Sequence, residues 1–244
     1  HFGIGGDGII LVCPSKVADA KMKMYNLDGS EGKMCGNGIR CVGKFLYDHG
    51  MVDINEKDEI TIETLSGIKK LKAYTSGGKV NRLRVDMGKA ILDPKEIPVV
   101  LDGDKVVDRP VEIAGKNYNI TCVSMGNPHC VVFMDDIDNL DIETVGPEFE
   151  NDKLFPERVN TEFVTVLDDH TIKMRVWERG SGETWACGTG ACAVAVAACE
   201  NGFCKKGEDI KIKLKGGDLI INYTDETVYM TGNAEKVFEG EVEV

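Results

Sequence analysis

The chain has 244 residues, 42% of them hydrophobic, and its 29 basic and 41 acidic side chains give a formal net charge of −12. This length allows one large domain or two of ordinary size, with a core that needs no disulfide. The excess of acidic side chains argues against nucleic acid and anionic membrane surfaces as partners, because both bind basic patches. The sequence has no run of about 18 apolar residues and no charged-then-apolar leader, so we expect a cytoplasmic protein with no membrane partner.

The nine cysteines are an odd number, and their spacings match neither a disulfide framework nor a common zinc site. Reduced thiols are typical of a cytosolic protein. We therefore expect free thiols and no metal, and the question becomes which of the cysteines take part in chemistry.

An internal repeat relates two parts of the chain. Shifted by 152 positions, residues 21–50 align with 173–202 without a gap and are identical at eight of the thirty positions. Each copy reads as an alternating strand, a glycine-containing turn, the motif Cys-Gly-x-Gly and a helix. A further strand follows, where the offset has become 150, as a two-residue deletion would produce. The repeat predicts two duplicated halves.

The two predicted helices differ in their apolar faces. The first carries Ile39, Val42, Phe45 and Leu46 at helical spacing and stops at Gly50. The second, Ala191–Cys199, is apolar on every side, which is typical of a buried helix. Most other segments are short and strand-like. The sequence therefore predicts an α+β fold in which the strands of each half surround one central helix.

Cys35 and Cys187 stand at the starts of the two predicted helices. The free N–H groups and partial positive charge of a helix N-terminus favour a thiolate and lower the thiol pKa, and they can also hold a carboxylate. Inversion at a carbon needs one group that removes a proton from one face and another that returns a proton to the opposite face. If the halves meet about a pseudo-two-fold axis, two thiols can do this, which predicts a racemase or epimerase without a cofactor.

The motifs around these cysteines resemble those of the diaminopimelate epimerase family. They are, in chain order, Gly3-Ile4-Gly5-Gly6-Asp7-Gly8, Asn26-x-Asp28-Gly29-Ser30, Met34-Cys35-Gly36-Asn37-Gly38-Ile39-Arg40-Cys41, Gly126-Asn127-Pro128-His129-Cys130, Glu178-Arg179-Gly180-Ser181-Gly182-Glu183-Thr184, Ala186-Cys187-Gly188-Thr189-Gly190-Ala191-Cys192 and Gly232-Asn233-Ala234. The resemblance runs from the first residue to the last. It implies that the family's N-terminal strand and loop are absent, so we expect an N-terminally truncated sequence.

The resemblance also implies an architecture and an activity. The architecture is two pseudo-symmetric, duplicated β-roll domains, each wrapped around a central helix. One comprises residues 1–88 with 233–244 and the other residues 89–232, and family members commonly form homodimers. The activity is the interconversion of LL- and meso-diaminopimelate, a small amino-acid substrate, by two-cysteine proton transfer at the α-carbon without a cofactor, in the synthesis of lysine and peptidoglycan precursors.

The resemblance assigns roles to residues of both halves. Cys35 and Cys187 would be the acid/base pair, and His129 and Glu178 would tune their proton affinity. The backbone at Gly36, Asn37, Gly188 and Thr189 would hold the reacting carboxylate. The groups that would fix the distal end of the substrate are Asn26, Asn127, Asn160, Glu178 and Arg179.

Other functions remain as alternatives. Proline and hydroxyproline racemases also use two cysteines, but they typically read Cys-Gly-His-Gly where this chain has Asn37 as the third residue. A non-catalytic thiol redox sensor on the same fold is a second alternative. The spacing Gly3-x-Gly5-x-x-Gly8 formally matches a dinucleotide fingerprint, but a strand-like segment follows it where a helix is required, so we expect no nucleotide cofactor.

Overall fold

A computed structural model describes residues 6, 8–26, 28–54 and 59–241. The chain divides into two compact units, one formed by His1–Asp86 with Thr231–Val244 and the other by Met87–Met230. Most of the motif at residues 3–8 lies outside the described residues, so its predicted role in the site has no structural counterpart here.

The first unit is a sheet with one helix packed against it. Its elements are β1 (Gly8–Cys13), β2 (Ala20–Asn26), β3 (Glu31–Gly32), α1 (Gly36–Asp48), β4 (Ile60–Thr64), β5 (Gly67–Ser76) and β6 (Lys79–Asp86). The strand order is β1-β2-β4-β5-β6, and β3 pairs with β2. Only β2 and β4 run parallel among these neighbours, because α1 lies between them in the chain.

The helix α1 buries three of the four apolar residues that its spacing predicts to face the core. Ile39, Val42 and Leu46 are buried, as are the strand residues Leu71 and Leu83, whereas Phe45 is 41% exposed. Burial of these side chains ties the helix to the sheet through apolar contact.

The second unit repeats this plan and extends it. Its elements are β7 (Arg109–Ile113), β8 (Lys116–Ser124), β9 (Pro128–Phe133), α2 (Ile142–Glu150), β10 (Asn160–Asp168), β11 (Thr171–Glu178), β12 (Gly182–Thr184), α3 (Gly188–Glu200), β13 (Asp209–Leu214), β14 (Gly217–Tyr223) and β15 (Val228–Asn233). The strand order is β14-β13-β11-β10-β9-β8-β7, and β12 pairs with β11. The last strand, β15, begins in this unit and ends in the first one.

The predicted duplication is confirmed by the pairing of strands. β2-β3-α1-β4-β5 in the first unit corresponds to β11-β12-α3-β13-β14 in the second, with the same parallel and antiparallel partners. The register agrees as well, because Lys21 faces Glu63 and Lys173 faces Lys213. The α+β class is likewise confirmed.

The structure adds an element that the sequence did not predict. The helix α2 contains Pro147, a residue that normally argues against a helix. It forms because Ile142 and Phe149 are fully buried in a second core, where Phe149 meets Phe163 edge to face at 5.4 Å. The helix α3 also begins at Gly188, three residues before the predicted start.

The second core generates a test of stability. Phe149→Ala should lower the free energy of unfolding by about 3–5 kcal/mol, because it leaves a cavity between α2 and the sheet. Urea unfolding followed by circular dichroism measures this loss. Phe203→Ala is the matched control: Phe203 is 44% exposed, so its loss should be about 1 kcal/mol or less. Equal losses in the two variants would contradict the packing described for α2.

Candidate active site

The first predicted thiol caps the helix of the first unit. Cys35 is the N-cap of α1, with φ −129° and ψ 119°. Its Sγ accepts a hydrogen bond from the Gly38 N–H at 3.3 Å. Gly36 and Asn37 form the first turn, as predicted. A Cβ at position 38 would lie 2.2 Å from Ile10 Cδ1, so glycine lets the helix start approach β1.

Two further contacts shape this end of the first unit. Buried Arg40 donates to the Gly36 carbonyl at 3.0 Å and to the Asn233 carbonyl at 3.3 Å, which ties the first turn of α1 to the end of β15. Asn26 is exposed at the end of β2, and its Nδ2 donates to Ser30 Oγ at 3.0 Å. Arg40 therefore helps to hold the first turn of α1 in place, a role that no sequence pattern indicated.

The second thiol occupies the same position in the second unit. Cys187 is the N-cap of α3, with φ −118° and ψ 110°, and its Sγ accepts from the Gly190 N–H at 3.4 Å. The hydroxyl of Thr189 lies 3.5 Å from the sulfur. A Cβ at position 190 would meet Glu162 Oε1 at 2.5 Å. Glycine therefore makes room here for a carboxyl group.

A chain of side-chain hydrogen bonds leads away from Thr189. Asn127 Nδ2 lies 3.3 Å from Thr189 Oγ1, and His129 Nε2 lies 3.1 Å from Asn127 Oδ1. On its other side, His129 Nδ1 lies 2.7 Å from Glu162 Oε1, and both side chains are fully buried. The structure thus joins the predicted Asn127, His129 and Thr189 in one network.

Sequence reasoning missed Glu162. The available signal was the one charged residue inside the strand-like segment 161–166, two positions after the predicted Asn160. Its burial depends on β9 and β10, which pair in parallel and bring His129 opposite Asn160.

The electrostatics of Cys187 correct one expectation. Burial raises the pKa of the Cys187 thiol well above its ordinary value, and the nearby carboxylates of Glu178 and Glu162 raise the pKa further. The prediction of a lowered thiol pKa is therefore wrong for Cys187, because desolvation and negative charge outweigh the helix N-terminus. Glu178 itself accepts a hydrogen bond from Thr184 Oγ1.

Three of the residues predicted to bind the distal end of the substrate, Asn160, Glu178 and Arg179, lie at the start of β10 and at the end of β11. Asn160 is buried; its Nδ2 donates to the Pro128 carbonyl at 2.9 Å, and its Oδ1 accepts from the Arg179 N–H at 3.0 Å. The Arg179 guanidinium donates to the Glu157 carbonyl at 2.7 Å. Asn160 therefore links the first residue of β9 to the residue that follows β11.

The described residues hold no cluster of three or more His, Cys, Asp or Glu side chains that could bind a metal ion. All nine cysteines lie in the described parts of the chain and are free thiols. No helix of residues 6, 8–26, 28–54 and 59–241 is long and apolar enough to cross a membrane.

Solved structures with the same fold include racemases and epimerases of cyclic amino acids. A probable proline racemase from Agrobacterium radiobacter K84 matches with a TM-score of 0.73 and 16% identity, covering 97% of this chain and 76% of that one. A hydroxyproline epimerase from Agrobacterium vitis matches with a TM-score of 0.69 and 15% identity, covering 93% and 71%. At such low identity these likenesses show the fold alone.

Sequence relatives are far more similar. A relative from Acetivibrio thermocellus called diaminopimelate epimerase is 54% identical over 246 residues, covering 100% of this chain and 86% of the relative. One of the same name from Methanococcus maripaludis is 52% identical, covering 100% and 87%. The family model described as diaminopimelate epimerase matches residues 1–92 and 121–237. The chain therefore belongs to the diaminopimelate epimerase family.

Proposed function

We propose that this chain interconverts LL- and meso-diaminopimelate by moving a proton between the α-carbon and the thiols of Cys35 and Cys187, without a cofactor. Family membership makes the chain an amino-acid epimerase, an isomerase. The observation that carries the proposal is the matched placement of the two sulfurs. Each caps the helix of one duplicated unit and accepts the N–H of the third helical residue, at 3.3 and 3.4 Å.

The two helix starts also provide for the reacting carboxylate. The first N–H groups of a helix have no acceptor within the helix, and together with the helix dipole they favour an anion. Gly36 and Asn37 in α1, and Gly188 and Thr189 in α3, stand at these positions. Donors aimed at the carboxylate stabilise the charge that spreads onto it when the α-proton leaves.

The surroundings of Cys187 support different roles for the two thiols in proton transfer. A two-base inversion needs one sulfur as thiolate and the other as thiol at the start of each turnover. Burial and the carboxylates of Glu178 and Glu162 raise the pKa of Cys187, which favours its neutral form. We therefore assign Cys187 as the proton donor of the resting site, which leaves Cys35 to remove the α-proton. The reaction leaves these states exchanged.

The distal amino and carboxylate groups would be bound by Asn26, Asn127, Asn160, Glu178 and Arg179. Arg179 supplies a planar guanidinium that can bind a carboxylate through two parallel hydrogen bonds. The bond from the Arg179 N–H to Asn160 supports a fixed position for its backbone. His129 and Glu178 would tune the two thiols.

The family resemblance also bears on the compartment, the oligomeric state and the pathway of the enzyme. We propose a cytoplasmic homodimer that works in the synthesis of lysine and peptidoglycan precursors, because the family resemblance implies these properties. Nine free thiols agree with a reducing compartment. Neither alternative function gains support, since the racemase-like structures share only the fold and Asn37 departs from the pattern of those racemases.

The two-thiol mechanism predicts that each sulfur is essential. Cys35→Ala and Cys187→Ala should each lower epimerisation of diaminopimelate by about a hundredfold to ten-thousandfold, the range typical of a lost acid or base. Deuterium incorporation at the α-carbon in D2O, followed by NMR, measures this. Cys41→Ala and Cys199→Ala are controls on the same two helices and should retain activity. Near-normal turnover by either of the first two variants would rule the mechanism out.

The raised pKa of Cys187 generates a second prediction. Glu178→Gln removes a negative charge that opposes the thiolate, so the Cys187 pKa should fall and its alkylation should shift to lower pH. Without substrate, iodoacetamide should label Cys187 about threefold to tenfold faster at pH 9 in this variant. Peptide mass spectrometry measures the rates. Glu157→Gln makes the same change at an exposed position and should leave the rate unchanged. An unmoved or slower rate in Glu178→Gln would contradict the charge effect.

The assignment of Arg179 predicts a substrate charged at both ends. An analogue without the distal carboxylate loses the charge-assisted, bidentate hydrogen bonds to the guanidinium. L-Lysine, which has the distal amine but no distal carboxylate, should therefore react at a much lower kcat/KM than LL-diaminopimelate. Comparable values would show that Arg179 does not select the substrate.

A further inference from the structure

Glu162 is a buried acidic side chain in the middle of β10. It is fully buried, and its Oε1 lies 2.7 Å from His129 Nδ1. Its Oε2 has no hydrogen-bond partner among the described residues. Burying a carboxyl group with incomplete pairing destabilises a fold. Its presence here therefore needs a reason other than stability.

The repeat shows that the scaffold does not require this carboxyl group. With the offset of 152, Glu162 corresponds to Ile10, and the pairing agrees: Ile10 faces Met24 in β2 while Glu162 faces Val176 in β11. Both side chains pack against the third residue of the helix capped by cysteine. An apolar side chain fills this place in the first unit, so the acid in the second unit has a local purpose.

The contacts of His129 indicate what that purpose is. Its Nδ1 faces a carboxylate oxygen of Glu162, and its Nε2 faces the Asn127 amide oxygen at 3.1 Å. Two acceptors on opposite sides of one ring satisfy an imidazolium, which has two N–H donors, better than a neutral imidazole, which has one. The negative charge of Glu162 offsets the cost of burying that positive ring.

The charge of the ring sets the direction of the remaining hydrogen bonds. When Nε2 donates to Asn127 Oδ1, the amide nitrogen of Asn127 must face Thr189 and donate to its oxygen at 3.3 Å. The hydroxyl proton of Thr189 is then available to the Cys187 sulfur, 3.5 Å away. If the amide were turned round, the hydroxyl would donate to Asn127 Oδ1 and the sulfur would lose this donor.

We propose that Glu162 is a positioning residue of this site, which keeps His129 in its imidazolium form and thereby directs the hydrogen bonds through Asn127 and Thr189 toward the Cys187 sulfur. This inference rests on the proposed role of Cys187 in proton transfer. A hydroxyl that donates to the sulfur stabilises the thiolate left when Cys187 gives up its proton.

Other charged and titratable groups surround the pair. Burial raises the pKa of the Glu162 carboxyl, and the attraction of His129 opposes this rise and supports the carboxylate form. The negative charge of Glu178, on β11, contributes to the raised pKa of the Glu162 carboxyl. Cys130 and Cys187 are the neighbouring thiols, and burial raises the pKa of both, so both are neutral beside the pair.

The kinetic test compares three variants of the full chain with the wild type. Glu162→Gln keeps the size of the side chain but removes the counter-charge, and it should lower kcat at pH 8 by about tenfold to a hundredfold, the value of one charge-assisted hydrogen bond. KM should change less than kcat, because Glu162 is not among the groups proposed to bind the substrate. Glu162→Asp keeps the charge and should recover part of the loss. Thr161→Val, on the same strand, removes a buried hydroxyl that has no partner in the described chain and should leave kcat unchanged.

The pH dependence separates a charge effect from a packing effect. Without Glu162 the buried imidazolium loses its counter-ion, so the ring of this variant should be neutral at pH 8. Lower pH restores its proton, and the kcat of Glu162→Gln relative to the wild type should rise as the pH falls from 8 to 6. A constant ratio across this range, or wild-type kcat in the variant, would overturn the proposal.

A measurement on the wild type needs neither a variant nor turnover. The chain has four histidines, and 15N NMR of their rings should show His129 protonated on both nitrogens at pH 8. A neutral His129 ring there would overturn the proposal. A wild-type protein that does not exchange the α-proton of diaminopimelate would instead refute the proposed function, while the ring spectrum would still decide the role of Glu162.

Discussion

The structure of the site depends on how two helices begin. A helix start leaves backbone N–H groups that need acceptors, and serine, threonine, aspartate or asparagine usually supplies one. Here a sulfur does so in both units, accepting from Gly38 in α1 and from Gly190 in α3. The cap holds each sulfur beside N–H groups that can bind an anion. One local constraint thus positions both the proposed proton carriers and the proposed donors to the carboxylate.

The two units share a backbone plan but differ in the side chains around the sulfur. In the first unit, Ile10 packs against the helix start and Cys35 is partly exposed. In the second, Glu162 takes the equivalent place, and Cys187 is buried among carboxyl groups that raise its pKa. The two units thus combine similar helix-cap geometry with different side chains around the sulfur. The proposed reaction, which needs a thiol and a thiolate at the same time, would use that difference.

The fold likeness and the sequence likeness carry different information. A probable proline racemase and a hydroxyproline epimerase have this fold at 16% and 15% identity, and a fold alone does not determine a substrate. Relatives at 54% and 52% identity match the whole chain, and this likeness gives the family. The proposed substrate therefore rests on side chains such as Arg179 and Asn160, not on the architecture.

The sequence alone determined the repeat, the α+β class, the two helices that start at cysteine, and the family. These follow from local signals: residue spacing, turn glycines and the motifs around Cys35 and Cys187. It did not give α2, because Pro147 argues against a helix until Phe149 has a core to enter. The sequence also predicted a lowered pKa for the Cys187 thiol, whereas burial and nearby carboxylates raise that pKa. The helix N-terminus can be read from the motif, but burial and the charge of Glu162 depend on residues that lie far away in the chain. Only the tertiary structure brought Glu162 to His129, since parallel pairing of β9 with β10 joins segments that are some thirty residues apart.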